Sequence, residues 1–327
     1  MSRAWAYGSV LAAGMGLALL PLTTDSNVLL NFLVFMLIVA VAATGWNLLG
    51  GYGGQFSFGH AAFFGTGAYA MAILQERAGL NAWVALPAAI ALGAAVGSAI
   101  GALAFRARLR GSYFALVTLA FAEVFRIVAN VLPITGGAAG ILIRLRLDPW
   151  QFQFADRRVF YWVALGVLVC CLLLVRAIER SRFGAWLVAV RENEDAARAL
   201  GVDVLAVKVA AITLSAAMTA AAGCLYAQKF LYLDAAIAYG PWISVEALLA
   251  PVIGGAGTVF GPVLGALALL GLGELTKAWI GDLTGGSVPG VDLVLFGALL
   301  ILCVAFAPRG IIGLLSRVRL GVRWARF

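Results

Sequence analysis

Charge is what this chain has least of. Asp, Glu, Lys and Arg make up 12% of its 327 residues, about half the share of a soluble domain. Against 63% hydrophobic residues, that leaves too little polar surface to clothe a water-soluble fold. Histidine is scarcer still. A single one, His60, excludes a histidine-built metal centre, and there is no Ser-His-Asp grouping or carboxylate pair to suggest hydrolytic machinery. The four cysteines, Cys170, Cys171, Cys224 and Cys303, lie inside apolar runs without metal-ligand spacing. They read as small hydrophobes rather than a disulfide framework. The glycine-rich stretches lack the Lys-Ser/Thr that completes a phosphate loop, so no nucleotide motif is present. The net charge of +8 is scattered over several loops rather than one basic face, which argues against nucleic acid as a partner.

What the chain has instead is long apolar runs and 39 glycines, with a mean hydropathy of +1.01. A helix needs about 20 apolar residues to cross a bilayer core of about 30 Å. That ruler places spans at 5–22, 28–49, 55–74, 82–105, 111–131, 159–178, 205–227, 243–256, 260–280 and 289–308. The fold expected is all-α: one polytopic transmembrane bundle over residues 1–327, with about ten spans and eight to ten compatible with the pattern. The segment 243–256 is too short to cross as a straight helix, so it is expected to be broken or re-entrant inside the protein. The first apolar run ends in Leu20-Pro21-Leu22 without a small-x-small cleavage site, and reads as an uncleaved first span.

Two stretches stand out from this apolar background. The first is 179–204, the longest polar run between two apolar halves. Phe183, Trp186, Leu187 and Val190 fall at i, i+3, i+4 and i+7, one stripe of a short helix. Charges then crowd together at Arg191, Glu192, Glu194, Asp195 and Arg198. Ala196, Ala197 and Leu200 make a second small apolar face before Gly201, a good helix stop. Two short amphipathic helices at a membrane surface are expected, either as a plain connector or as a handle for a soluble partner. Mixed charge favours docking, because a helix that only binds lipid carries an excess of Lys and Arg. Ten crossings with an inner N-terminus put this handle and the basic tail 309–327 on the Arg-rich, cytoplasmic side.

The second stretch is Gly51 to Tyr69, whose glycines make a poor isolated helix. Gln55, Ser57 and His60 sit near its start, either as glue between helices or lining a path for a polar solute. A second glycine knot follows at 254–262. Ionisable residues within spans are costly, at roughly 2.5–3.5 kcal/mol each. Glu123, at i, i+3 from Arg126, can neutralise itself on one helix face. Glu246 begins the short 243–256 segment between Pro241 and Pro251, and is a path candidate or an outer-interface group.

The stretches GGYGGQFSFGHAAFFGTGAYA, RGSYFALVTLAFAEVFRIVANVLPITGGAAGI, RSRFGAWLVAVRENEDAARALGVD with the span after it, and EALLAPVIGGAGTVFGPVLGA together resemble the LivM-type permease subunit of bacterial branched-chain amino acid ABC importers. The resemblance runs from about residue 47 to 309. It implies a non-enzymatic subunit without cofactors of its own. Its partners would be a LivH-type second permease, two LivG/LivF-type ATPases that hold ATP and magnesium, and a periplasmic binding protein, all at the inner membrane. It also implies that the stretch Gly184–Gly201 seats in a groove of the ATPase, with Glu192, Asn193, Ala197 and Gly201 on its recurrent positions, in a coupling loop that takes in Phe183, Gly184, Trp186 and Val190 as well. Relatives with the same motifs import urea or short amides. A self-sufficient secondary transporter, coupled through Glu123 or Glu246, is the alternative from another class.

Overall fold

A computed structural model describes residues 3–23, 26–284, 290, 294, 297–298 and 310–313. Its helices in chain order are α1 (Arg3–Leu19), α2 (Asn27–Trp46), α3 (His60–Glu76), α4 (Ala82–Arg106), α5 (Gly111–Val131), α6 (Arg157–Glu179), α7 (Arg182–Glu192), α8 (Glu194–Ala199), α9 (Val204–Phe230), α10 (Ala235–Ala238), α11 (Pro241–Gly254) and α12 (Gly261–Thr284). Strands β1 (Ile141–Leu142) and β2 (Tyr232–Leu233) pair antiparallel. Among the described residues, six segments are long and apolar enough to cross a membrane: 27–52, α4, α5, α6, α9 and 235–254, while Tyr7–Leu22 and Gly261–Thr276 are shorter apolar helices. The chain is therefore a polytopic helical bundle. The expected span 289–308 and nearly all of the tail 309–327 lie outside the described residues.

The bundle is built around α9, which packs against α2, α3 and α4. Its small side chains, from Ala210 to Gly223, allow this. On α4, Gly93, Gly97 and Gly101 recur every fourth residue. A methyl at each would come within 2.3 Å of Ala220, Ala216 and Ile212 of α9 in turn, so only glycine admits this approach. On α3, a methyl at Gly67 would come within 2.2 Å of the Ala220 carbonyl oxygen. Helix α6 packs against α2 and carries α1.

The span expected over 55–74 starts late. A π-helical stretch, Asn47–Tyr52, ends α2, and residues 53–59 then run without helix until His60. Gly54 takes a left-handed φ of +66°, which supports the break. His60 Nε2 lies 2.9 Å from Ser215 Oγ, halfway along α9. The non-helical segment therefore enters the bundle to mid-depth. Such backbone is tolerated only where protein or a water-lined cavity surrounds it. The segment expected to be broken at 243–256 is instead one continuous helix, α11 (Pro241–Gly254), and the interruption falls before it, at Tyr239 and Gly240 between α10 and α11. Tyr239 stacks on Tyr69, halfway along α3, which places this break at mid-depth too.

At the end far from α7, residues 132–156 are tied down rather than loose. Arg77 Nη2 donates to the Pro133 carbonyl, Trp83 Nε1 to the Pro149 carbonyl, and Arg144 N to Glu76 Oε1.

Candidate functional site

The handle forms as two helices, each with its own start signal. Ser181 Oγ accepts from Gly184 N and opens α7. Asn193 ends α7 and opens α8, its Oδ1 accepting from Asp195 N and Ala196 N at 3.0 Å each. Gly201, at φ +84°, closes the unit. Gly184 is required by contact, because a methyl there would come within 2.1 Å of the Ile178 carbonyl oxygen.

The expected apolar stripe divides. Leu187 and Val190 are buried against the bundle with Gly184, and Phe183 is half-buried, but Trp186 faces out at 45% exposure. The second face divides too: Ala197 is buried, whereas Ala196 and Leu200 are exposed, Leu200 at 84%. The reason is register. Val202 N turns back to the Ala197 carbonyl, which directs Ala197 inward and leaves Leu200 at the tip. The outward face of the handle is therefore Trp186, Val188, Glu192, Asp195, Arg198 and Leu200.

Polar anchors absent from the expected set hold the inward face. Glu194, only 14% exposed, bonds Lys208 of α9 and lies 3.1 Å from Arg110 Nε at the start of α5. Lys208 itself is 5% exposed and sits 5.2 Å from the centre of the Phe105 ring on α4. One carboxylate thus fastens α8 to the near ends of α9 and α5, and Lys208 in turn rests on α4. The sequence signal was a lone Lys in the first turn of an apolar span. The second anchor is Arg191, whose Nη1 donates to the Gly51 carbonyl at 3.0 Å.

Gly51 is where the two glycine knots cross. Asn47, fully buried, accepts from Gly257 N at 2.8 Å and donates to the Thr258 carbonyl at 2.9 Å. A methyl on Gly51 would come within 2.2 Å of Asn47 Oδ1 and 2.5 Å of Gly257 N. A continuous chain of contacts thus runs from α7 through Arg191 and Gly51 to the 255–260 turn between α11 and α12.

The path candidates are scattered. Gln55, Ser57 and His60 are buried inside the protomer: Gln55 Nε2 donates to the Gly53 carbonyl, Ser57 Oγ accepts from Gly59 N, and His60 meets Ser215. The Gln55 and Ser57 contacts are local to the non-helical segment, and only the His60–Ser215 contact joins two helices. Glu246 is half-buried on α11. Glu123 lies on the outward face of α5, 50% exposed, with Arg126 Nε at 2.9 Å from its Oε2. Helix α5 buries only the stripe Phe114, Ala115, Thr118, Ala122 and Ala129. Beside it Phe56 and Phe58 of the non-helical segment are also exposed, at 51% and 41%, and Phe58 N donates to Thr118 Oγ1. An ion pair in the middle of an exposed apolar helix is costly against lipid. The face of α5 thus has the chemistry of a surface that meets water or a protein.

No group of His, Cys, Asp and Glu with metal-binding geometry occurs among the described residues.

Residues 28–304 match the family model described as branched-chain amino acid transport system / permease component. The chain is 31% identical over 301 residues to the high-affinity branched-chain amino acid transport system permease protein LivM of Escherichia coli K12, covering 84% of this chain and 68% of that protein. It is 27% identical over 293 residues to the LivH permease of the same system and strain, covering 84% and 91%. Among solved structures, a chain of PsaBC from Streptococcus pneumoniae in complex with Fab aligns over 94% of this chain and 99% of that one, at 12% identity and a TM-score of 0.47.

Proposed function

We propose a transport role on the premise that this chain belongs to the branched-chain amino acid transport system / permease component family. The chain is a permease subunit of a branched-chain amino acid importer, not an enzyme. It is a multi-pass membrane protein, and similarity to both LivM and LivH fits a pair of related permeases.

The finer reading is mechanical. The chain supplies half of a heterodimeric path for Leu, Ile or Val at the bacterial inner membrane, with both termini and α7–α8 in the cytoplasm. Its partners are a LivH-type permease, two LivG/LivF-type ATPases and a periplasmic binding protein. ATP and magnesium are held by the ATPases, and this chain needs no cofactor. The exposed face of α5, with its Glu123–Arg126 pair, meets the second permease or the solute path.

One observation carries the docking part. The handle is fastened inward by Glu194, Arg191, Leu187 and Val190, yet leaves Trp186, Val188 and Leu200 uncovered beside charges of both signs. An aromatic and aliphatic centre with a charged rim is how a protein interface is built. The test is co-purification of the ATPase subunits with Leu200→Glu and Trp186→Ala. Both are expected to lose the ATPases while keeping membrane insertion and thermal stability. Full retention of the ATPases by the double variant would remove the docking role.

A further inference from the structure

The end of the bundle far from α7 holds a cavity with no part in the proposed transport. It measures about 550 Å³ and lies between the last turn of α9, the first turns of α2 and α6, and residues 145–155. Its chemistry is one-sided: Lys229 and Arg157 line it, and no carboxylate does. The nearby Asp156 is engaged elsewhere, accepting from Arg158 N at 2.8 Å to start α6. Lys229 is held in position by Asn31 Oδ1, 2.6 Å from its Nζ, and by the Phe160 ring at 5.9 Å. Like charges sharing a site disfavour one another until an opposite charge joins them.

Gln228 gives the second, independent sign. It lines the same cavity and is 4% exposed. Neither its Oε1 nor its Nε2 has a hydrogen-bond partner among the described residues. Buried amide atoms are nearly always paired, with protein, water or ligand. The cavity thus offers two cations, one unused donor and one unused acceptor. The lining residues Leu145, Leu147 and Phe230 stand 66%, 64% and 47% exposed. A free amino acid is a poor match, because its ammonium would meet two cations and no carboxylate. A phosphodiester that carries a hydroxyl and an apolar chain has a counterpart for each of these groups.

We propose that this cavity is a headgroup site for an anionic glycerophospholipid. Lys229 and Arg157 hold the phosphate, Gln228 hydrogen-bonds the headgroup, and the acyl chain lies along Leu145, Leu147 and Phe230. The lipid would brace α2, α6 and α9 against one another at this end, where β2 and the 145–155 segment also meet them.

The experiment uses the full chain, purified in detergent, stripped of lipid and titrated with phosphatidylglycerol. Native mass spectrometry counts bound lipid and thermal unfolding reads its effect. Phosphatidylcholine, inorganic phosphate and leucine are the comparison arms. One phosphatidylglycerol is expected to bind in preference to phosphatidylcholine, with affinity falling by roughly fivefold for each cation removed in Lys229→Gln and Arg157→Gln. Arg157 is exposed, so its variant folds even if Lys229→Gln does not. Arg182→Gln, at the opposite end, should leave binding unchanged. The proposal is overturned if phosphatidylcholine binds as tightly, or if Arg157→Gln keeps full affinity. It is equally overturned if inorganic phosphate alone reproduces the stabilisation, which would mark a free-phosphate site, or if leucine stabilises and the lipid does not.

Discussion

Asn47→Ala tests whether the two glycine knots are held together by one side chain. Asn47 makes both bonds that join the 47–52 turn to the 255–260 turn, across 210 residues of sequence. Alanine removes the acceptor for Gly257 N and the donor for the Thr258 carbonyl together. A buried polar group left without a partner costs about 1–3 kcal/mol. Gly257 and Thr258 are only half-buried, so water recovers part of this, and the expected loss is roughly 1–3 kcal/mol for the pair. In a chain of this size that lowers Tm by a few degrees, measurable by thermal unfolding in detergent. Asn47→Asp sharpens the test. It keeps the acceptor for Gly257 N but sets a carboxylate oxygen against the Thr258 carbonyl, so it should be no better than alanine. In the assembled importer both variants should lose leucine uptake by a larger factor than ATP hydrolysis, because the contacts from α7 no longer reach α11 and α12. A Tm within a degree of the parent, together with unchanged uptake per ATP, would refute the linkage.

Three further outcomes are expected. Glu194→Ala leaves Lys208 buried without its partner and should cost roughly 3–5 kcal/mol, whereas adding Lys208→Met to it should recover most of the loss; denaturation of the single and double variants decides this. Glu123→Gln or Arg126→Gln leaves one charge unpaired in mid-span and should cut the yield of inserted protein, while the exchanged pair Glu123→Arg with Arg126→Glu should restore it. Arg182→Cys in intact cells should resist a membrane-impermeant maleimide and Trp150→Cys should react; the reverse pattern would turn the proposed orientation over.

Much of the bundle was legible because hydropathy is a local property. The apolar runs at 82–105, 111–131 and 159–178 became α4, α5 and α6 within two residues at each end, since a span announces itself by length alone. The handle was legible for a related reason, a dense charge cluster between two apolar halves. What could not be read was which side of each short helix faces in. Phe183, Trp186, Leu187 and Val190 satisfy helical spacing equally well, but only packing against the bundle selects Leu187 and Val190 and rejects Trp186. The late start of α3 was hidden because 55–59 is apolar enough to pass for helix, and glycine frequency does not reveal where the backbone leaves it. Asn47, Gly257 and Lys208 were invisible as a set because their partners stand far off in sequence. Gln228 gave no signal at all, since a polar residue near a span's end is ordinary until its surroundings are known.

The glycine row on α4 has a consequence for motion. Gly93, Gly97 and Gly101 each sit over a side chain of α9, like teeth at a pitch of four residues, about 6 Å along the axis. A joint of that kind can be parted or left alone, but a slip of a fraction of a turn would drive Ala216 and Ala220 into the bulkier neighbours of those glycines. Any stroke that enters through α7 must therefore carry α4 and α9 as one piece. The give has to come from stretches that are not helix, such as 53–59 and 255–260, which makes the glycine knots the hinges and the α4–α9 seam the part that stays still.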